Sequence, residues 1–477
     1  MENFVITNSV GKDCIMKKAY GVFMSVIGHR GDANLHNTNG VHTGNPIKKV
    51  LWNALFVLFV LSLIVRLTQQ VLTTYGCESW WISEFLINYQ GGFVRRGLMG
   101  EILFFFAKNY NIDIEWTIKI FCLVCVIAVS TFFIKAFMNK GYTLYILPLC
   151  FFLGNGIFHH DWIRKDYLFF CFFIPILWLY NKDKWHTSIR IISINFLVVF
   201  IMLSHEVFAF FSLPLLFLLF FDKYKNPGIF RSVFRSLMCL SPSLCAFFLC
   251  LIYHGTPETA QVIWDSWMPL LDQTTSDTSV IGDSVAAIGW SSTYIIRMHG
   301  GKNFLSMDQQ ICSSLVWMIT FPTVYYITTN ALLVFRNREN DFTDRHKSVL
   351  SSVLIFQLFC LSPVFMILSC DYIRLFFYWI ASSFAVFLLL PIDKFETLFP
   401  VFITHIAERI NKVLTDILPP SKTLLALLML FMGISPVGFR VVWAFQTTML
   451  CHILVLLSLP FELIRMVLFV WFGVVPG

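Results

Sequence analysis

Charged residues are scarce in this sequence. Only 13% of its 477 residues are Asp, Glu, Lys or Arg, whereas 57% are hydrophobic, including 52 phenylalanines. A typical soluble domain carries about 25% charged residues. The shortage of charge excludes an ordinary soluble protein and predicts an all-α, polytopic integral membrane protein.

Other patterns are missing too, and each absence removes a class of function. The 13 cysteines form no spaced cluster with histidine, and most lie inside apolar runs, as Cys122 and Cys125 do. They are interpreted as small core residues, and neither a metal nor a cofactor is predicted. No basic run alternates with aromatic residues, so nucleic acid is excluded as a partner despite the net charge of +7. No internal repeat is found, which disfavours an inverted-repeat transporter.

The chain divides by composition into an arm and a membrane region. Residues 1–49 are polar and lack the continuous apolar core of a cleavable signal peptide, which predicts a cytoplasmic arm. A transmembrane core is predicted for residues 50–395, and residues 396–477 are expected to form an amphipathic segment followed by hydrophobic helices. The apolar runs predict about eleven or twelve transmembrane helices, several of them only ~14 to 17 residues long.

Lys and Arg residues orient these helices, because loops on the cytoplasmic side are enriched in them. The bias is consistent only if residues 68–115 form a re-entrant or interfacial segment on the outer face without crossing the membrane. Every polar cluster then lies outside, and so does a long loop at residues 255–310.

The outer segment contains the stretch NYQGGFVRRGLMGEILFFFAK, in which Arg95 and Arg96 follow a glycine pair and precede an apolar run. Glycines let a backbone approach a ligand closely. A helix starting near Arg96 would also direct free N–H groups towards the same place. The pattern predicts an anion site, most simply for phosphate; the alternative is that both arginines snorkel to lipid headgroups.

The motif HHDWIRKDY places acids and bases between two apolar runs. Asp161 with Lys165, and His160 with Arg164, have the i, i+4 spacing of helical neighbours. One interpretation is an ion-pair cap at a helix end. The other makes Arg164 and Lys165 additional groups that bind phosphate or sugar.

Two more pairs interrupt apolar sequence, where an ionisable group is costly unless it faces a wet cavity or a partner. His205 and Glu206 divide the apolar residues 191–221 and represent either a satisfied core histidine or a functional pair. Asp371 and Arg374, at i, i+3, form either a structural salt bridge or a site in which the arginine binds phosphate and the aspartate accepts a proton.

The long loop contains Trp264, Trp267 and Trp290 among several acids. Indole faces stack on the C–H faces of sugars, while carboxylates accept hydrogen bonds from sugar hydroxyls. The loop is therefore a candidate glycan-binding region, although interfacial loops have a similar composition.

The order of these features resembles that of bacterial O-antigen polymerases (Wzy) and EpsG-like polysaccharide polymerases. The shared features are an early Gly-rich double arginine, the motif WIRKDYLFF opening a helix, LSHEVFAFFSLPLL with a histidine before an apolar hairpin, and a late outer loop. The chain is more distantly similar to GT-C class membrane glycosyltransferases. It departs from them in its first outer segment, where Glu78 and Glu84 stand in place of an acidic pair.

The resemblance implies a membrane glycosyltransferase of the bacterial inner membrane with its active face in the periplasm. It would transfer or polymerise glycan units carried on undecaprenyl (polyprenyl) pyrophosphate, as in O-antigen, lipopolysaccharide or capsule biosynthesis. The implied partners are a polyprenyl-linked oligosaccharide, membrane lipids, a chain-length regulator and other polysaccharide-assembly proteins. Alternatives are a flippase or transporter of lipid-linked glycans, and a transferase that adds one sugar from a polyprenyl phosphate.

The candidate site residues follow from the clusters and from this resemblance. The catalytic candidates are Glu84, Asp161, His205, Glu206 and Asp371. The pyrophosphate-binding candidates are Arg95, Arg96, Arg164, Lys165 and Arg374, and the glycan-binding candidates are Trp264, Trp267 and Trp290.

Overall fold

The computed structural model describes residues 46–143, 157–159, 161–182, 184–225, 228–271, 276–277, 279–299, 313–334, 344–434 and 441–472. These residues form helices joined by short turns, so the all-α membrane class is confirmed. The helices are α1 Pro46–Leu72, α2 Trp80–Ser83, α3 Gly97–Tyr110, α4 Ile114–Asn139, α5 Asp166–Tyr180, α6 Thr187–Ser204, α7 Phe208–Lys223, α8 Ile229–Ile252, α9 Pro257–Trp267, α10 Asp283–Ala286, α11 Ser292–Ile295, α12 Ser313–Val334, α13 Asp344–Pro363, α14 Tyr372–Leu389, α15 Ile392–Leu398, α16 Val401–Ile417, α17 Lys422–Phe431, α18 Val441–Gln446 and α19 Met449–Phe472.

Fewer helices are long enough to span a membrane than the eleven or twelve predicted. Among the described residues, six have the length and apolar composition of a span, or seven if the bent pair α16 and α17 counts as one. The difference arises in short apolar helices such as α5, with 15 residues, and in the 101° bend between α16 and α17. Part of the predicted run 142–158 and all of residues 1–45 lie outside the described residues.

Helix α14 occupies the centre of the bundle and is buried on nearly all sides. It packs against α13 and α5, which explains why its sequence is apolar around the whole circumference. Aromatic rings fill the contacts between these helices, as Phe377 does against Tyr167 and Phe170. The core predicted for the cysteines is also found, since Cys122 and Cys125 are buried.

The segment between α1 and α4 leaves one end of the bundle and returns to the same end. The Lys119 ammonium in α4 donates to the carbonyl oxygens of Val71, 3.2 Å away, and of Thr73. Glu115 pairs with Lys119 at 2.6 Å and accepts the backbone N–H of Tyr75 at 3.0 Å. Because these contacts join the end of α1 to the start of α4, the geometry agrees with a segment that does not cross the membrane.

Helix α3 starts at Gly97, as the sequence predicts, and packs very closely on the irregular segment before it. A Cβ atom on Gly100 would lie 1.9 Å from the carbonyl oxygen of Ile87, so only glycine allows this approach. The N-cap residue Arg96 has a left-handed φ of 67°, a conformation that costs energy outside glycine. This packing and this turn bring Arg96 towards the segment that carries Glu84.

Candidate functional site

Eleven polar side chains from distant parts of the chain meet at this end of the bundle. We call them the ion cluster: Glu84, Arg95, Arg96, Arg164, Lys165, Asp166, His205, Glu206, Asp371, Arg374 and Tyr378. They come from the outer segment, the start of α5, the break between α6 and α7, and the start of α14. The cluster brings together four of the five catalytic candidates and all five pyrophosphate-binding candidates.

Glu84 lies at the centre of the cluster and is 2% exposed. Its two oxygens contact Arg164 at 3.1 Å, Arg374 at 3.4 Å and the His205 Nε2 at 3.4 Å. Burial alone raises the pKa of the Glu84 carboxyl, but the charges of Arg374 and Arg164 outweigh it and hold the pKa below its ordinary value. Glu84 is therefore an ionised hub that orients cations, and it is a poor proton acceptor.

Asp166 is the main partner of Arg374. The guanidinium donates two hydrogen bonds to the carboxylate, from Nε at 2.7 Å and from Nη2 at 2.8 Å, although the residues are 208 positions apart in the sequence. The Tyr378 hydroxyl, one turn further along α14, donates to the same carboxylate. This bidentate pair fixes the start of α5 against the start of α14.

The predicted Asp371–Arg374 bridge exists only as a long contact of 3.4 Å. The Asp371 side chain is 34% exposed, whereas that of Arg374 is 11% exposed. Asp166 out-competes Asp371 because it presents both oxygens to the guanidinium fork from the facing helix. Asp371 is left as a carboxylate at the rim of the cluster.

Glu206 holds the two arginines that the sequence singled out. Its carboxylate accepts from Arg96 at 2.5, 2.9 and 3.1 Å and lies 3.4 Å from Arg95. Burial raises the pKa of Glu206, but the charges of Arg96 and Arg95 more than offset it, so the pKa lies well below its ordinary value. Among the described residues, the buried Nε of Arg95 has no hydrogen-bond partner. The Arg95 guanidinium therefore has an unsatisfied donor.

His205 lies where α6 ends, with an extended backbone that separates α6 from α7. Its Nδ1 accepts the backbone N–H of Val207 at 3.3 Å, so the neutral ring carries its proton on Nε2, facing Glu84. Burial, followed by the charge of Arg96, lowers the pKa of His205 well below its ordinary value. The histidine therefore stays neutral at physiological pH and positions Glu84.

Lys165 connects the ion cluster to an apolar surface. Its ammonium donates to the carbonyl oxygens of Arg96 and Ser204, each at 3.2 Å, and lies 5.5 Å from the centre of the Phe85 ring. Burial lowers the pKa of Lys165 to about 8. The lysine is thus a cation whose charge is easily changed by what binds beside it.

Phe85 also lines an apolar groove between α3 and α4. The groove has a volume of about 530 Å³, and its walls are almost entirely apolar, with Met99, Leu103 and Phe106 on one side and Ile118 on the other. Since Phe85 contacts both Lys165 and the groove, the cationic site and the apolar groove adjoin each other.

Among the described residues, Asp161 forms no hydrogen bond or ion pair with a member of the cluster, although the charges of Arg164 and Arg374 act on it. It contacts His159 at 3.3 Å, and the residues between it and α5 form turns, so the predicted i, i+4 pair with Lys165 does not form. The hydrogen bond and charge of His159 outweigh burial and lower the pKa of Asp161. His160 lies outside the described residues.

The three candidate tryptophans occupy different positions. Trp264 and Trp267 are 1% and 0% exposed, and the Trp267 indole N–H donates to the carbonyl of Leu86 at 2.7 Å. Both rings pack the long loop onto the outer segment, so neither is accessible to a glycan. Trp290 is partly exposed and lies edge-on to the exposed Trp80, with ring centres 5.8 Å apart.

Sequence reasoning missed two members of the cluster, Asp166 and Tyr378. Asp166 lies inside the quoted motif HHDWIRKDY, and an acid opening an apolar helix was a signal that pointed to it. Tyr378 gave no such signal, because a tyrosine in an apolar run is ordinary at a membrane interface.

Comparison with known proteins gives one partial match. A family described as uncharacterised membrane protein Rv1490 matches residues 51–149. No curated protein and no solved structure matches the chain. The similarity covers α1 to α4 and includes Glu84, Arg95 and Arg96 but not the remaining members of the ion cluster. It agrees with a multi-pass membrane protein and assigns no activity.

Proposed function

We propose that the ion cluster is the active site of a membrane glycosyltransferase that uses a polyprenyl-pyrophosphate-linked glycan at the outer, periplasmic face. The observation that carries the proposal is the junction at Phe85, where a cationic site meets an apolar groove. A lipid pyrophosphate has the same two parts, an anionic headgroup and an apolar chain.

The charges of the cluster suit such a headgroup. Five basic side chains face the four carboxylates of the cluster, the charge of a fifth carboxylate, Asp161, acts on Arg164 and Arg374, and His205 is neutral. The arginines Arg95 and Arg96 are 17% and 26% exposed, and Arg95 keeps a free donor. Guanidinium groups bind phosphate oxygens by bidentate contact, which makes these two arginines the pyrophosphate ligands.

The reaction follows from these positions. An acceptor hydroxyl oxygen attacks the anomeric carbon of the donor glycan, the bond from that carbon to the pyrophosphate oxygen breaks, and the lipid pyrophosphate leaves with the electron pair. Arg95 and Arg96 stabilise the charge that develops on the leaving group. The hydroxyl proton passes to a carboxylate, and we assign this role to Asp371, because Glu84 and Glu206 are held ionised by arginines.

The position of the cluster also weighs against a flippase. A flippase needs charges that are reachable from both faces, whereas these groups gather at one end of the helices. The far ends of α4 to α8 and α12 to α14 carry mainly Lys and Arg, which favours the cytoplasm for that end and the periplasm for the cluster.

The test is a transfer assay with the purified chain in nanodiscs and a synthetic polyprenyl-pyrophosphate-linked repeat unit. Glycans longer than one repeat are expected for a polymerase, and addition of a single sugar would indicate the single-sugar transferase instead. Arg96→Ala and Asp371→Asn are expected to abolish the product. The control is Arg66→Ala, because within the part of the chain that the structure describes the Arg66 side chain hydrogen-bonds to Gln69, near the end of α1, and to no member of the ion cluster. No product from the unaltered chain, with the lipid shown to be bound, would refute the proposed activity.

A further inference from the structure

Three aromatic side chains from the outer segment and the long loop form a continuous surface. The Trp80 ring lies edge-on to the Trp290 ring, and the Trp290 ring lies edge-on to that of Tyr294, with ring centres 5.8 and 5.1 Å apart. Trp80 is 38% exposed, Tyr294 is 49% exposed, and Trp290 is partly exposed. We call these three residues the aromatic shelf. Among the described residues, neither indole N–H of the shelf has a hydrogen-bond partner.

Hydrogen bonds between the long loop and α2 hold the shelf in place. The Ser284 hydroxyl donates to the carbonyl oxygen of Trp80, and the Ser284 backbone N–H donates to the Ser83 hydroxyl, each at 2.9 Å. The backbone N–H of Asp283 donates to the carbonyl oxygen of Glu78 at 2.8 Å. Because these bonds fasten the loop on both sides of Trp80, the shelf is formed before any ligand binds.

The shelf adjoins the ion cluster at Arg164. The Nη1 atom of this guanidinium lies 3.1 Å from the Glu84 carboxylate and 3.4 Å from the Trp80 carbonyl oxygen. Trp80 opens α2 and Glu84 is its C-cap, four residues later, which is about 6 Å along a helix axis. The shelf therefore begins at the edge of the ion cluster.

An exposed carboxylate, that of Asp283, lies beside the shelf, next to Ser284. Within the part of the chain that the structure describes, it forms no ion pair. Partial burial and the charge of Glu78 raise the pKa of Asp283, while the charge of Arg164 lowers it. A carboxylate accepts hydrogen bonds from sugar hydroxyls but repels a second negative charge. This edge of the shelf therefore suits an uncharged sugar and disfavours a uronic acid.

A second pair of exposed tryptophans shows what distinguishes the shelf. Trp178 and Trp185, at the opposite ends of α5 and α6, also lie edge-on, with ring centres 6.3 Å apart. The Lys182 ammonium lies 4.5 Å from the centre of the Trp178 ring. Tryptophan beside lysine is typical of the cytoplasmic membrane interface. The shelf has a carboxylate in place of the lysine, which favours a ligand with hydroxyl groups over the phosphates of the headgroup layer.

We propose that the aromatic shelf is the glycan subsite of the ion cluster, where an uncharged pyranose ring stacks on Trp80 and Trp290 and one of its hydroxyls donates to the Asp283 carboxylate. The C–H faces of sugars stack on indole rings. This subsite rests on the proposed transferase function and adds a specificity to it, because the glycan then carries a neutral sugar at this position.

The test measures the binding of free sugars, which requires neither the lipid nor transfer. The full chain is reconstituted in nanodiscs, because detergents with sugar headgroups would occupy the same surface. Dissociation constants are measured by saturation-transfer difference NMR for the methyl glycosides of glucose, galactose, glucuronic acid and galacturonic acid. At least one neutral glycoside is expected to bind, and its uronic acid is expected to bind roughly tenfold more weakly.

Three variants locate the binding. Trp80→Ala with Trp290→Ala is expected to weaken binding of the neutral glycoside roughly tenfold, without changing the affinity for farnesyl pyrophosphate. Its matched control is Trp178→Ala with Trp185→Ala, which is expected to bind the glycoside as the unaltered chain does. Asp283→Asn keeps the shape of the side chain and removes its charge, so it is expected to reduce the preference for the neutral glycoside over its uronic acid.

The outcomes separate this subsite from the transferase activity. Loss of glycoside binding in the shelf variant but not in its control would support the sugar site, even if the chain transfers no glycan. Absence of binding by both neutral glycosides, an equal loss in the control, or equal affinity for a uronic acid would overturn the proposal. Tighter binding of choline than of the glycosides would also overturn it, because the shelf would then be a site for cations.

Discussion

The two halves of the ion cluster use the same residue type for different purposes. In the buried half, Arg164 and Arg374 are 9% and 11% exposed, and Arg374 is held by Asp166 through two hydrogen bonds. In the open half, Arg95 and Arg96 are more exposed and share one carboxylate. The comparison teaches that arginine ties helices together where carboxylates surround it, and is available to a ligand where they are few.

The largest effect is expected in the buried half. Glu84→Gln removes the carboxylate that pairs with Arg164, while Arg374 keeps Asp166, and stranding a buried cation costs about 3 to 5 kcal/mol. We expect a large fall in melting temperature, measured by tryptophan fluorescence in detergent. The control is Glu78→Gln, because Glu78 is partly exposed and, among the described residues, its carboxylate accepts a hydrogen bond from the backbone N–H of Asp277 and pairs with no cation. A stable Glu84→Gln protein would show that this half is not what holds the helices together.

The open half is expected to affect both binding and folding, because Arg96→Ala leaves the buried Glu206 carboxylate with Arg95 at 3.4 Å. Arg96→Ala removes charge-assisted contacts worth about 1.5 to 3 kcal/mol, which corresponds to a loss of roughly 10- to 150-fold in affinity for farnesyl pyrophosphate by calorimetry. Arg96→Lys is expected to recover part of it, because an ammonium lacks the bidentate fork. Unchanged affinity for farnesyl pyrophosphate in Arg96→Ala would mean that Arg96 pairs with Glu206 and does not contact the ligand.

Lys165 stands between the halves and gives the binding a pH dependence. Its pKa of about 8 means that it is charged below pH 8 and loses its charge above, so affinity for farnesyl pyrophosphate is expected to fall as the pH rises through 8. The contribution of Lys165 to stability changes with pH in the opposite direction. The folded pKa lies below that of the unfolded lysine, so the unfolded chain binds more protons above pH 8 and Lys165 makes stability increase with pH there.

A matched variant isolates the lysine. Lys165→Met is expected to bind farnesyl pyrophosphate more weakly than the unaltered chain. Its affinity is expected not to fall as the pH rises through 8. If the fall persists in this variant, another group is responsible for it.

The smallest effect on folding is expected at the rim. Among the described residues the Asp371 carboxylate has one ion pair, with Arg374 at 3.4 Å, and it is partly exposed, so Asp371→Asn is expected to change the unfolding free energy by less than about 1 kcal/mol. Transfer is nevertheless expected to stop if Asp371 is the base. Loss of transfer together with normal farnesyl pyrophosphate binding would separate this role from that of Arg96. Normal transfer would exclude Asp371 as the base.

The sequence predicted the helical class and most members of the cluster, because charges in apolar sequence are rare and conspicuous. The sequence could not predict which acidic and basic residues pair with each other. Asp371 is three residues from Arg374, yet Asp166, from the facing helix, takes the guanidinium because it offers both oxygens. Local spacing gives proximity but not orientation.

The sequence also could not predict which of the candidate side chains are buried. Trp264 and Trp267 have the composition of a sugar platform, but the long loop folds back onto the outer segment and uses both rings for packing. The glycines beside the arginines behave similarly. A Cβ on Gly97 would collide with the Tyr89 ring, so this glycine serves the packing of α3.

The tie between Asp166 and Arg374 spans 208 positions, and this separation has a consequence for biosynthesis. Because the ribosome makes the chain from its N-terminus, Glu84 and Asp166 are made long before Arg374. The intermediate holds the Asp166 carboxylate without its bidentate partner, although the cations of the cluster made by then already outnumber its carboxylates. The insertion of α14 brings Arg374 and Tyr378 to this carboxylate, so the contact between α5 and the centre of the bundle forms late in membrane assembly.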